Sequence, residues 1–80
     1  MMTKKASQLQ AVGIIIRNYR LDGGLSQEKL GERMGVSTNY ISLLESGKRY
    51  PSIGTLIRVA RALDADPGEM VNAIAEREGL

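Results

Sequence analysis

The 80-residue chain contains neither cysteine nor histidine. Without cysteine there is no disulfide framework and no thiolate metal site, and a reducing cytosolic setting is compatible. Loss of both residue types removes most zinc chemistry and the commonest acid–base and nucleophilic arrangements. Carboxylates, lysines and hydroxyls remain as candidate catalysts but form no supporting constellation, so the expectation is a non-enzyme without metal or cofactor. Long hydrophobic runs are also lacking. The longest, Ile14-Ile15-Ile16, is far below the roughly 20 residues of a membrane span, and the opening MMTKK has no signal-peptide core. A cytoplasmic protein with no membrane partner is expected.

Eighty residues suit one domain, at a size where folding buries only about 60 per cent of the unfolded surface or slightly more. Such a domain is marginally stable without a partner. The formal net charge is +2, which by itself is weak evidence for nucleic acid, but the charge is unevenly placed. Ten of the eleven basic residues precede Asp64 against four acids, a net of +6. From Asp64 onward Asp64, Asp66, Glu69, Glu76 and Glu78 face only Arg77, a net of −4. A polyanion is drawn to the first part and repelled by the last.

The most informative stretch is Leu25 to Ser46, LSQEKLGERMGVSTNYISLLES. Ser26 precedes Gln27-Glu28-Lys29-Leu30, an N-cap hydroxyl ahead of a first turn that carries an acid near the positive helix end. A helix is therefore predicted from about Gln27. Its apolar residues Leu30 and Met34 are four apart on one face, and it stops at Gly35, the residue type that most readily adopts a left-handed turn. Val36 points inward. Ser37 is a second N-cap, and the helix it opens sends Ile41 and Leu44 inward while Thr38, Asn39, Ser42, Leu43 and Ser46 fall on other faces, with Gly47 ending it. Two short capped helices around a tight turn match a helix-turn-helix, whose second helix lies in the DNA major groove. They also suit an ordinary helical hairpin.

The remaining chain reads as helices too. Residues 1–7 carry no buried periodicity and are expected to be a flexible arm, with the domain spanning 8–80. A first helix is predicted from about Gln8 to Leu21, with Leu9, Val12 and Ile16 on one stripe, Tyr19 nearby, and Gly23-Gly24 closing it. Lys48-Arg49-Tyr50-Pro51 forms a loop, and Ser52 caps a fourth helix carrying Ile53, Leu56, Ala60 and Leu63 inward and Arg58 and Arg61 outward. Asp66-Pro67-Gly68-Glu69 starts a fifth helix, combining a capping aspartate, a proline at the first helical position and a glutamate three residues after the cap. That helix should run to about Arg77. No repeat or strand-like alternation interrupts this all-α, five-helix pattern.

The residues Leu25-Ser26-Gln27, Leu30, Met34-Gly35-Val36, Tyr40-Ile41-Ser42, Leu44-Glu45-Ser46-Gly47-Lys48 and Pro51 carry a specific resemblance. The chain is similar to the lambda-repressor-like, or xenobiotic-response-element, family of helix-turn-helix regulators. The likeness runs from about Gly13 to Met70. It takes in Arg17 and Arg20 upstream and Ser52, Leu56, Ala60 and Leu63 downstream. Two positions depart from the family pattern: Gly31 stands where alanine is usual, and Ser46 where arginine or asparagine is frequent. Gly31 faces the close crossing of the two motif helices, so alanine is expected to be tolerated there and even to stabilise by up to about 1 kcal/mol, if a methyl group fits.

The resemblance implies a compact domain bound to double-stranded DNA. Thr38, Asn39, Ser42 and Leu43 are the expected base contacts, since short polar side chains reach base edges, asparagine pairs with adenine, and leucine lies against a thymine methyl. Gln27, Ser37, Tyr40, Ser46, Lys48 and Arg49 are the expected backbone contacts. Similar proteins join the positions of Arg20 and Glu45 in a buried ion pair, and they often dimerise through the C-terminal helix. Here Ile57, Met70, Val71, Ile74 and Leu80 are the candidate dimer residues. The reading is a homodimeric, sequence-specific transcriptional regulator on a roughly palindromic operator, similar to stand-alone phage repressors and restriction-modification controller proteins. With no second domain evident, no small-molecule ligand is expected. An antitoxin or other protein-interaction module with secondary DNA binding is the alternative.

Overall fold

A computed structural model describes residues 4–78, with side chains from Gln10 onward. Five helices follow one another: α1 (Lys4–Asp22), α2 (Gln27–Met34), α3 (Thr38–Glu45), α4 (Ile53–Ala62) and α5 (Pro67–Glu78). No strand occurs among the described residues.

Each start is fixed by a side-chain cap. The Ser26, Ser37 and Ser52 hydroxyl oxygens accept the backbone N–H of Lys29, Tyr40 and Thr55 at 3.0, 3.0 and 3.1 Å. Asp66 Oδ1 accepts from Gly68 and Glu69 at 2.7 and 3.3 Å. Each bond satisfies a donor that has no partner within its helix. Gly35 ends α2 with φ at +71°, and the Val36 N–H returns to Gly31 O at 2.9 Å, which closes the tight turn between the motif helices.

The first helix begins at Lys4, four residues before the expected Gln8. No proline or glycine interrupts Lys4–Gln10, so nothing local stops the helix there. The arm expected over 1–7 is thus helical from Lys4, while Met1–Thr3 lie outside the described residues, as does the Leu9 side chain.

The core gathers one stripe from each helix: Ala11, Val12, Ile15 and Ile16 from α1, Leu30 and Met34 from α2, Ile41 and Leu44 from α3, Val59 and Ala60 from α4, Met70 and Ile74 from α5. Ile16, Leu30, Ile41, Leu44, Val59 and Met70 are wholly enclosed. Burying such a side chain contributes about 1.5–3 kcal/mol against the entropy of ordering. Two expectations change here. Ile53, placed inward from its spacing, is 69 % exposed, because Val59 and Ala60 centre the buried stripe of α4 away from it. Met70 and Ile74, expected at a dimer interface, belong to the core of the single chain, since so small a domain needs the inner stripe of α5 to close its own interior.

Helix α1 touches α3 backbone to backbone. A Cβ at Gly13 would lie 2.4 Å from Glu45 O and 2.7 Å from Leu44 O, so this crossing admits only glycine. At Gly31 a Cβ would come within 2.8 Å of Val36 O, which corrects the expectation that alanine fits freely.

A pair of reciprocal contacts joins α2 and α4. Arg33, in the last turn of α2, donates to Ala62 O at 2.9 Å, while Arg58 of α4 donates to Met34 O at 2.5 Å. Each helix therefore places a cation on the unpaired C-terminal carbonyls of the other, where the helix dipole favours positive charge.

Candidate nucleic-acid interface

The inward residues of α3, Ile41 and Leu44, are locked in the core, which fixes what the opposite side presents. Thr38, Asn39 and Ser42 are exposed together on that side, and Leu43 is half-buried at its rim. The geometry therefore brings the four expected base-reading residues onto one helix, three of them fully available.

The loop after α3 folds back on the helix through a single carbonyl. Leu43 O accepts from the N–H groups of Lys48 and Arg49 at 3.0 and 3.1 Å and from Ser46 Oγ at 3.2 Å. Lys48 and Arg49 are exposed beside α3 in consequence. The Arg49 guanidinium carbon sits 5.8 Å from the centre of the half-buried Tyr40 ring. Ser46, expected at a phosphate, has its hydroxyl proton committed to Leu43 O. Ser37 differs: its oxygen accepts the Tyr40 N–H, so its own proton is free to be donated.

Behind this surface lies the ion pair expected between Arg20 and Glu45. Arg20 Nε meets Glu45 Oε2 at 2.6 Å, and its Nη2 donates to Glu45 Oε1 at 2.9 Å, a two-pronged arrangement. The side chains are 9 % and 3 % exposed. Arg20 Nη1 also donates to Leu25 O at 2.8 Å, so one side chain ties α1, the turn before α2, and α3. The hydrogen bond from Arg20 to Glu45, with the attraction of the carboxylate, holds the arginine above its ordinary pKa against the opposing effect of burial. Gln27 joins the cluster by donating its amide to Glu45 Oε1 at 3.1 Å. Its side chain, expected at a phosphate, is turned towards the protein because a buried carboxylate still has an oxygen to satisfy.

Sequence reasoning missed the Gly13 contact, the exchange between Arg33 and Arg58, and the stacking of Arg49 on Tyr40. Gly13 gives no local signal beyond a poor helix former inside a helix, and the other contacts join residues distant in the chain.

A helix-turn-helix family model matches residues 16–70. The chain belongs to the lambda-repressor-like helix-turn-helix family. This helix-turn-helix protein is 38% identical over 65 residues to the uncharacterized HTH-type transcriptional regulator y4dJ of Sinorhizobium fredii, covering 81% of this chain and 84% of that one. It is 37% identical to the control protein C.SmaI of Serratia marcescens, over 81% of this chain and 73% of the relative. Among solved structures it resembles the restriction-modification controller protein C.AhdI of Aeromonas hydrophila, with TM-score 0.73, 35% identity, and coverage of 78% of this chain and 94% of the other. The five-helix expectation and the placement of the motif on α2 and α3 both hold for this family member. Among its described residues no helix is long and apolar enough to cross a membrane.

Proposed function

We propose that this protein is a cytoplasmic, sequence-specific DNA-binding regulator that acts as a homodimer, placing α3 of each copy in successive major grooves of a roughly palindromic operator. The observation that carries the reading is the outward face of α3, where Thr38, Asn39 and Ser42 are exposed on a helix whose other side is fixed in the core. Asn39 is suited to the paired acceptor and donor of adenine, Thr38 and Ser42 to single base edges, and Leu43 to a thymine methyl. Ser37, Lys48 and Arg49 flank this face as phosphate donors, which set position and not sequence. Likeness to a control protein and a restriction-modification controller supports a regulatory role whose occupancy follows protein concentration.

For the dimer, the candidate residues that remain available on the described chain are Val71, 42 % exposed, and the half-buried Ile57. Ile53 lies four residues before Ile57, on the same flank of α4, and extends the candidate surface. Leu80 lies outside the described residues. Covering this apolar surface would favour a domain whose own core is small.

Selection of binding sites from random duplexes, followed by sequencing, tests DNA binding, base preference and half-site spacing together. The expected result is an enriched motif with two inverted half-sites. Recovery of no enriched sequence refutes the reading, and an enriched single half-site refutes its dimeric part.

A further inference from the structure

We propose that the Tyr40 ring is a positioning element for Arg49, holding the guanidinium beside the exposed face of α3 so that it meets a DNA phosphate already ordered. The proposal rests on the DNA-binding reading above and adds a division of labour to it: Tyr40 acts through Arg49, and its hydroxyl is dispensable.

Three observations converge. The Ser37 hydroxyl fixes the backbone of Tyr40 in the first turn of α3, and the ring is half-buried and packed against the core. It is therefore a rigid platform at the edge of the reading helix. The Arg49 N–H is tied to Leu43 O, which turns the loop back along α3 and lets the side chain reach that ring at 5.8 Å. The Arg49 guanidinium makes no hydrogen bond or ion pair among the described residues. A cation held by a ring face keeps its in-plane N–H donors free for an incoming anion.

A free arginine side chain must be immobilised when it binds, and avoiding that loss for one rotamer-rich side chain corresponds to about 2- to 12-fold in affinity. The same contact does little for the fold, because an exposed cation–ring pair contributes weakly. The effect should therefore appear in DNA binding rather than in thermal stability.

The test uses the full chain and a duplex that the wild type enriches from a random pool, with affinity measured across a salt series. Tyr40→Phe retains the ring and should bind within about 2-fold of wild type. Tyr40→Leu should bind about 3- to 10-fold more weakly. In an Arg49→Ala background, Tyr40→Leu should change affinity by less than about 2-fold and leave the salt slope where Arg49→Ala alone puts it, about one unit shallower than wild type. Arg49→Lys carries the same test from the exposed side, where folding is not at risk: it should keep the salt slope and lose affinity, because an ammonium lacks the planar fit. Equal losses for Tyr40→Leu with and without Arg49, a Tyr40→Phe as weak as Tyr40→Leu, or an Arg49→Lys equal to wild type would each overturn the proposal. A wild type that enriches no duplex instead removes the DNA-binding reading on which it rests.

Discussion

Gly13→Ala would set a methyl carbon 2.4 Å from Glu45 O, 2.7 Å from Leu44 O and 2.8 Å from Glu45 C. All three are backbone atoms at the end of α3, so no side chain can swing aside. Ordinary contact begins near 3.4 Å, and α1 must move away from α3 by about 1 Å to restore it. Two effects oppose each other. Alanine gains about 1 kcal/mol of helix propensity over glycine, whereas forcing an extra methyl group into a packed contact costs about 1–3 kcal/mol, occasionally more. Here the upper end applies, because the displaced element is a helix end that also carries Glu45 and its bonds to Arg20. The net expectation is a loss of about 1–2 kcal/mol, or a Tm lower by about 4–16 °C for a domain of this size. Gly54→Ala is the internal control, since its nearest neighbour is Ser52 Oγ at 3.9 Å; there the propensity gain should stand and Tm should rise. Gly31→Ala, at 2.8 Å from Val36 O, should fall between the two. Thermal melting followed by circular dichroism orders the three variants. A Gly13→Ala protein that melts at or above the wild type would refute the close crossing of α1 and α3.

Glu45→Ala leaves Arg20 desolvated without its partner, at a cost of about 3–5 kcal/mol, so Tm should fall by at least about 12 °C; a shift of a degree or less would show that the pair holds nothing together. Asn39→Ala should weaken binding to the selected duplex by about 1–3 kcal/mol and binding to scrambled DNA hardly at all, whereas Lys48→Ala should weaken both alike and flatten the salt dependence by about one unit. The reverse pattern would mean that α3 is wrongly oriented in the proposed complex. Asp64→Gly should raise stability by up to about 1–2 kcal/mol, because Asp64 holds φ at +55°, a conformation costly for a side chain with a Cβ; unchanged melting would place compensating energy elsewhere. Val71→Asp should turn dimers into monomers in sedimentation before it alters the melting of the chain, and a dimer that persists excludes α5 as the interface.

What could be read from the sequence was what is decided locally. Ser26, Ser37, Ser52 and Asp66 act within three residues of themselves, so their caps were legible, and so was Gly35. The inward positions of α2 and α3 followed from spacing alone. Arg20 and Glu45, 25 residues apart, could be paired only through family resemblance, since no rule of periodicity joins them. The rest depended on how helices meet. Gly13 reads as a weak point within a helix until α3 is set against it. Met70 and Ile74 read as surplus apolar residues until the interior proves to need them. The Gln27 amide looked free until Glu45, brought close by the fold, claimed it.

The exchange of arginines between α2 and α4 has a geometric consequence. With Arg33 on the end of α4 and Arg58 on the end of α2, neither helix can pivot without breaking a bond at the terminus of the other. In a dimer built on α4 and α5, the distance between the two reading helices is then transmitted through this clasp rather than through a hinge. The protein would act as a caliper of fixed gauge. An operator with one base pair added between its half-sites would have to bend or twist to fit, because the span between the two copies of α3 could not stretch to meet it.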